Sequence, residues 1–205
     1  MDKRKIDLFD GHCDTILARL VHGGSLRKNE GHLDLERTGE YGRYAQFFAL
    51  FGQPEDVSER GLKKAELWQL FQEEYRLFQR EMRANEDLIV HCRTGEEARA
   101  AFAGGKAAAF LSVEGAELLE CSLERLEEAH ALGVRAVNLT WNYANALSGS
   151  NAERPEQGLT AQGRAFVDKM GRLGMLVDVS HLSDPGFWDV EERVSGPFFA
   201  SHSNA

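Results

Sequence analysis

No run of apolar residues in this chain approaches the roughly 20 that a membrane-spanning helix needs, so no membrane span is expected. Basic residues are in deficit: 24 Lys and Arg stand against 33 Asp and Glu, a formal net charge of -9. No basic stripe or Arg-rich helix stands out, which argues against nucleic acid as a partner. Cysteine is scarce. Cys13, Cys92 and Cys121 are odd in number and lack a framework spacing. That excludes a secreted disulfide scaffold and points to reduced thiols in a cytoplasmic protein. The opening Met1-Asp2-Lys3-Arg4-Lys5 is charged and lacks the apolar stretch of a signal peptide. Low-complexity segments, internal repeats and splitting linkers are missing too.

What is present suits one sizeable core: 205 residues, 42% hydrophobic and 28% charged. Strand-like runs cover Ile6 to His12, Gln46 to Phe51, Ala107 to Val113, Val134 to Thr140, Met175 to Ser180 and Phe198 to His202, with Leu88 to Val90 as a short seventh. Helical patterns lie between them. After Ser58, a candidate N-cap, Trp68, Phe71, Tyr75, Phe78 and Met82 recur by threes and fours, drawing one core-facing stripe. Further helices are expected from Thr94 to Gly104, from Ser122 to Gly133, and from Thr160 to Gly174. Ser148 to Gly158 reads as a long polar loop. Alternating strands and helices imply parallel strands with crossover helices, in an open doubly wound sheet or a (β/α) barrel.

The ends of these runs carry metal-ligating side chains: His12 and Asp14, Glu114, His181 and His202. Two carboxylates and three imidazoles suit one or two divalent metals that activate water, so metal-assisted hydrolysis leads. On an extended backbone His12 and Asp14 share a face, and Cys13 points away as a small buried hydrophobe. Donors at four separate strand ends favour the barrel, whose strands converge on one mouth. Asp10 and Asp178 are candidates for orienting a ligand histidine, with a turn role open for Asp10. His22, His32, His91 and His130 are expected to be structural or exposed. No serine–histidine triad and no Gly-rich phosphate loop is evident.

These segments, taken in order, resemble the membrane dipeptidase (renal dipeptidase) family of zinc peptidases. The resemblance rests on Asp10-Gly11-His12-Cys13-Asp14-Thr15, His32-Leu33-Asp34-Leu35, Gln46-Phe47-Phe48-Ala49, Ser112-Val113-Glu114-Gly115 after Gly105-Lys106, Leu159-Thr160 with Gly163, the run Met170 to Leu182, and Ser201-His202-Ser203. It implies a TIM-type (β/α) barrel with two zinc ions. His12 and Asp14 would bind one, His181 and His202 the other, and Glu114 would bridge them as the catalytic carboxylate. A hydroxide shared by the metals would attack a dipeptide with a free C-terminal carboxylate. Family members are often homodimers.

Two departures accompany the resemblance. The family commonly places a histidine after the Leu-Thr of the middle strand; here Leu139-Thr140 is followed by Trp141. Trp141 and Asn142 are therefore the candidate substrate-binding residues, with a loop-capping role open for Asn142 and Asn145. The chain also stops at Ala205, where the family continues with an arginine and a late aspartate. The expectation is a single (β/α)-barrel domain over 1–205, its C-terminal part absent, with about six of eight strands. Phe198 and Phe199 would then lie on an edge that invites association. Competing functions are a barrel amidohydrolase acting on cyclic amides or lactams, and a non-catalytic metal-binding protein. Such amidohydrolases often use His-x-His and a carboxylated lysine; His-x-Asp and a glutamate favour the peptidase.

Overall fold

The computed structural model describes residues 5–52 and 67–203. Two compact units divide the chain: Met1–Leu50 with Gln72–Leu111, and Phe51–Phe71 with Ser112–Ala205. The expected cap at Ser58 lies outside the described residues.

The first unit holds β1 (Leu8–Asp10), α1 (Thr15–His22), α2 (Leu35–Thr38), β2 (Tyr44–Phe51, all but its last residue), the greater part of α3 (Leu67–Ala84), β3 (Ile89–His91), α4 (Gly95–Ala103) and the start of β4 (Ala107–Glu114). β1 pairs in parallel with β2, Leu8 opposite Tyr44, and β3 in parallel with β4, Ile89 opposite Ala107. β2 also neighbours β4. β2 reads YAQFFALF and is buried up to Leu50, as a parallel strand covered on both faces should be. Phe48 meets Phe78 of α3 at 5.9 Å and Phe47 meets Phe110 at 5.4 Å. All five residues of the anticipated α3 stripe are buried. Small residues Ala45, Ala98, Ala101 and Ala108 pack with Cys92 in one cluster. Thr94 caps α4 by accepting from Glu97 N at 3.2 Å.

The second unit takes up β4 from Ser112 and adds a 3-10 turn (Ala116–Leu119), α5 (Leu123–Leu132), β5 (Val134–Asn138), α6 (Ala161–Leu173), β6 (Leu176–Asp178) and α7 (Asp184–Arg193). Its strand order is β4-β5-β6, with β5 parallel to β6 and Asn138 opposite Asp178. Ser122 caps its helix as expected, Thr160, where the next was expected to start, caps that one, and Gly133 (φ 111°) and Gly174 (φ 69°) end them in the left-handed region. The fold class is thus the α/β alternation of a TIM-type (β/α) barrel, with six parallel strands among the described residues where a closed barrel has eight. No helix among the described residues is long and apolar enough to cross a membrane.

Several expectations need correcting. β1 ends at Asp10, so His12 and Asp14 lie beyond the strand and Asp14 stands at the N-cap of α1 (φ -90°, ψ 24°). Phe198 to His202 forms no strand. It makes one parallel bridge, Asp178 with Phe199, before the chain turns at Ser201. Phe198 is half-buried and packs on Phe187 at 5.8 Å. Helices α1, α2 and α7 were not anticipated. The α7 start was legible: Ser183 accepts from Gly186 N at 3.1 Å and Pro185 sits in the first turn.

The start of α6 rests directly on backbone. A Cβ at Gly163 would stand 2.1 Å from Leu147 O, and Thr160 N donates to the same carbonyl at 2.8 Å. Gly163→Ala should therefore destabilise the protein by about 1–3 kcal/mol through overpacking, read as a lower thermal midpoint. An unchanged midpoint would show the contact to be slack. Glu117, in the 3-10 turn, offers a second test. Burial pushes its carboxyl above the ordinary 4.5, with the Asn145 amide pulling the other way. The folded state then holds a proton that the unfolded chain releases, so this group costs stability as pH rises past the ordinary value. Glu117→Gln should raise the urea midpoint near about pH 7 and change it little near about pH 4.

Candidate metal centre

In the second unit, Glu114 ends β4 and Gly115 (φ 78°) turns the chain away immediately after it. The Glu114 side chain is 4% exposed, and its Oε1 lies 3.2 Å from His181 Nε2 and 3.4 Å from His202 Nε2. The two imidazole rings are 4.7 Å apart, centroid to centroid. His181 Nε2 is buried and makes no hydrogen bond. One carboxylate oxygen with two converging imidazole nitrogens, one of them without a hydrogen-bonding partner, is a donor set that fits a divalent transition metal.

The backbone is arranged to hold those rings. His181 follows β6 with φ 68°, a left-handed conformation that is costly for a residue with a Cβ. Its carbonyl accepts from Asn151 N at 2.8 Å and Thr140 Oγ1 at 3.4 Å. The polar loop Ser148 to Gly158 is therefore a brace for His181. Within it Ser150, fully buried, donates to Asn142 O at 2.7 Å and bridges to Leu182. Asp178, 2% exposed, accepts through Oδ1 from Ser180 N at 3.0 Å and from Ser201 N at 3.1 Å. His202 N donates to Ser180 Oγ at 3.0 Å, and His202 Nδ1 lies 2.8 Å from Ser201 Oγ.

The first unit carries the other two expected donors. His12 Nε2 and Asp14 Oδ1 are 3.4 Å apart, so these side chains meet although the backbone is not a strand. Asp10 Oδ1 accepts from His12 N at 3.2 Å, giving Asp10 a turn-fixing role. Cys13 N donates to Phe47 O at 3.1 Å and Ala49 N to Cys13 O at 3.0 Å, which bolts this loop onto β2. Burial pushes the Cys13 thiol up to about 12, which disfavours the thiolate. A cavity of about 990 Å³ opens beside the pair, with Asp10, Arg19, His32 and Tyr44 on its wall. His22 and His32 are exposed, and His91 packs edge-on against Phe78 at 4.9 Å.

Trp141 lies 6.4 Å from His181, 5.2 Å from Phe51 and 5.8 Å from Tyr143, ring to ring. Tyr143 is 46% exposed. Asn145 caps the loop: its Nδ2 donates to Leu139 O and its Oδ1 accepts from Leu147 N, both at 2.7 Å. Reading the sequence missed Ser180, Ser201 and Ser150. The signal for the first two was a serine directly before each late histidine.

The buried Glu114 carboxylate that ends β4 and the imidazoles of two later loops stand on a (β/α) frame. The chain belongs to the membrane dipeptidase family, peptidase family M19, whose sequence pattern matches residues 3–205. It is 32% identical over 181 residues to dipeptidase tcpJ of Claviceps purpurea, an alignment covering 85% of this chain and 42% of that protein. It superposes on a metallo peptidase from Rhodobacter sphaeroides, solved with a phosphinate mimic of the dipeptide L-Ala-D-Ala, with a TM-score of 0.81 at 26% identity. That match covers 98% of this chain and 66% of the other. Dipeptidase AC, also a metallo peptidase, gives a TM-score of 0.82 at 26% identity, covering 98% of this chain and 65% of that one. The chain thus spans less than two thirds of the length of some of these relatives.

Proposed function

We propose that this chain carries the metal centre of a zinc-dependent dipeptidase that cleaves dipeptides with a free C-terminal carboxylate. In this reading His181 and His202 hold one zinc through Nε2, His12 and Asp14 hold a second, and Glu114 bridges them. The observation that carries it is the buried Glu114 carboxylate with two imidazole nitrogens turned onto one of its oxygens, in a family of metallo-dipeptidases. When bound, the two metals would supply an acidified water and polarise the scissile carbonyl. The protein groups do the rest. Glu114 would supply a carboxylate to the metals and offset part of their charge. The buried Nε2 of His181 faces the Glu114 carboxylate. Trp141, with Phe51 and Tyr143, offers an apolar wall beside His181 for a substrate side chain. In this reading the side-chain amide of Asn142 would donate to the substrate. Dipeptidase relatives favour this reading over one in which cyclic amides or lactams are cleaved.

The zinc-loaded protein should hydrolyse members of a dipeptide panel that includes L-Ala-D-Ala, lose the activity to a chelator, and regain it on adding zinc. Absence of metal-dependent cleavage across the panel would reject the enzyme reading. Glu114→Gln should lower the occupancy of both metals together and reduce kcat/KM at least ~100-fold, about 2.7 kcal/mol of transition-state stabilisation. Two zincs retained per chain in that variant would argue against bridging.

A further inference from the structure

One oxygen atom touches the backbone on both sides of the His181–His202 pair. Asp178 Oδ1 accepts from the N–H of Ser180, the residue before His181, and from the N–H of Ser201, the residue before His202. The bridge between Asp178 and Phe199 brings the two segments alongside, with Phe199 N donating to Val177 O at 3.1 Å and Val179 N to Phe199 O at 2.9 Å. Beyond that bridge no strand ladder continues, so the spacing of the two ligand loops falls to side chains. Ser180 Oγ adds a second tie by accepting from His202 N at 3.0 Å. Ser201 Oγ, 2.8 Å from His202 Nδ1, can accept a hydrogen bond from an N–H there. With the proton on Nδ1, Nε2, which is turned to Glu114, carries the lone pair that a metal would take.

We propose that Asp178 is a positioning residue for the metal centre: its carboxylate sets the separation of the His181 and His202 loops, and Ser201 sets the ring state of His202. The inference rests on the reading of Glu114, His181 and His202 as metal ligands. It assigns Asp178 no contact with metal or substrate. A buried carboxylate oxygen accepting two backbone N–H groups is a rigid tie, because breaking the bond from Ser180 N strands a buried donor. Partners of this kind, one bond removed from the ligands, typically govern metal affinity by 10–100-fold.

The test compares Asp178→Ala, Asp178→Asn and Ser201→Ala in the full chain. Zinc affinity is read by competition with a chromophoric chelator, and the ligand field by the visible bands of the cobalt-loaded protein. Asp178→Ala should weaken one zinc by about 10–100-fold and leave the other within about threefold, with altered cobalt bands. Asp178→Asn keeps an acceptor oxygen at the same place and should restore most of the affinity, which general loosening of the fold would not explain. Ser201→Ala should weaken the same zinc. Asp178→Ala binding both zincs as the parent does would overturn the proposal. If Asp178→Ala does not fold, Ser201→Ala decides: undiminished zinc affinity there would sink the proposal as well. Because zinc affinity is the readout, the result does not depend on whether any dipeptide is cleaved.

Discussion

A carboxylate with almost no access to solvent is expensive unless hydrogen bonds or positive charge compensate it. Glu114, at the end of a strand that is buried from Leu111 onward, is such a group, and the second unit is organised around it. The chain leaves the sheet at Gly115, freeing the strand end. Two later segments return to the same place, each delivering an imidazole to one oxygen. Apolar burial along β4 and β5 fixes where the carboxylate must be. Compensating it then dictates what the neighbouring loops may contain.

Those loops are short of regular structure and rich in specific bonds. The His181 carbonyl is held from two directions, the Ser180 and Ser201 amides share one acceptor, and the Ser148 to Gly158 segment closes on itself through Ser150. Each such bond is worth only about 0.5–1.5 kcal/mol net. Their value lies in geometry, because a ligand displaced by about 1 Å loses much of its affinity or rate. The first unit solves the same problem differently. There the His12–Asp14 segment is pinned between two backbone bonds to β2, on either side of Cys13.

Much of this was readable from the sequence, for physical reasons that differ by element. The α3 stripe, the helix starts near Thr94 and Thr160, the cap at Ser122, and the glycine stops at Gly133 and Gly174 are local signals, and all appear as read. The donors stood out because imidazoles and carboxylates at the ends of apolar runs are unusual. What failed was local too. Ile6 to His12 looked extended because its residues are apolar enough, but α1 begins at Thr15 and takes Asp14 as its cap position. Phe198 to His202 looked like a strand, yet only Phe199 finds a ladder partner. Asp178 is a candidate from the sequence for orienting a ligand histidine, but the way it would do so is not legible there. It depends on two amides, one of them 23 residues away, that meet only in the folded chain.

His181 holds a left-handed backbone that glycine or asparagine would occupy more easily. Strain of this kind costs on the order of 1–3 kcal/mol, and nothing about folding requires a histidine there. Natural variation filtered for robustness alone would erode this position first. Its persistence in a homologue therefore reports upkeep of the ion-binding task, and its replacement by glycine would mark a lineage that kept the scaffold and abandoned the chemistry.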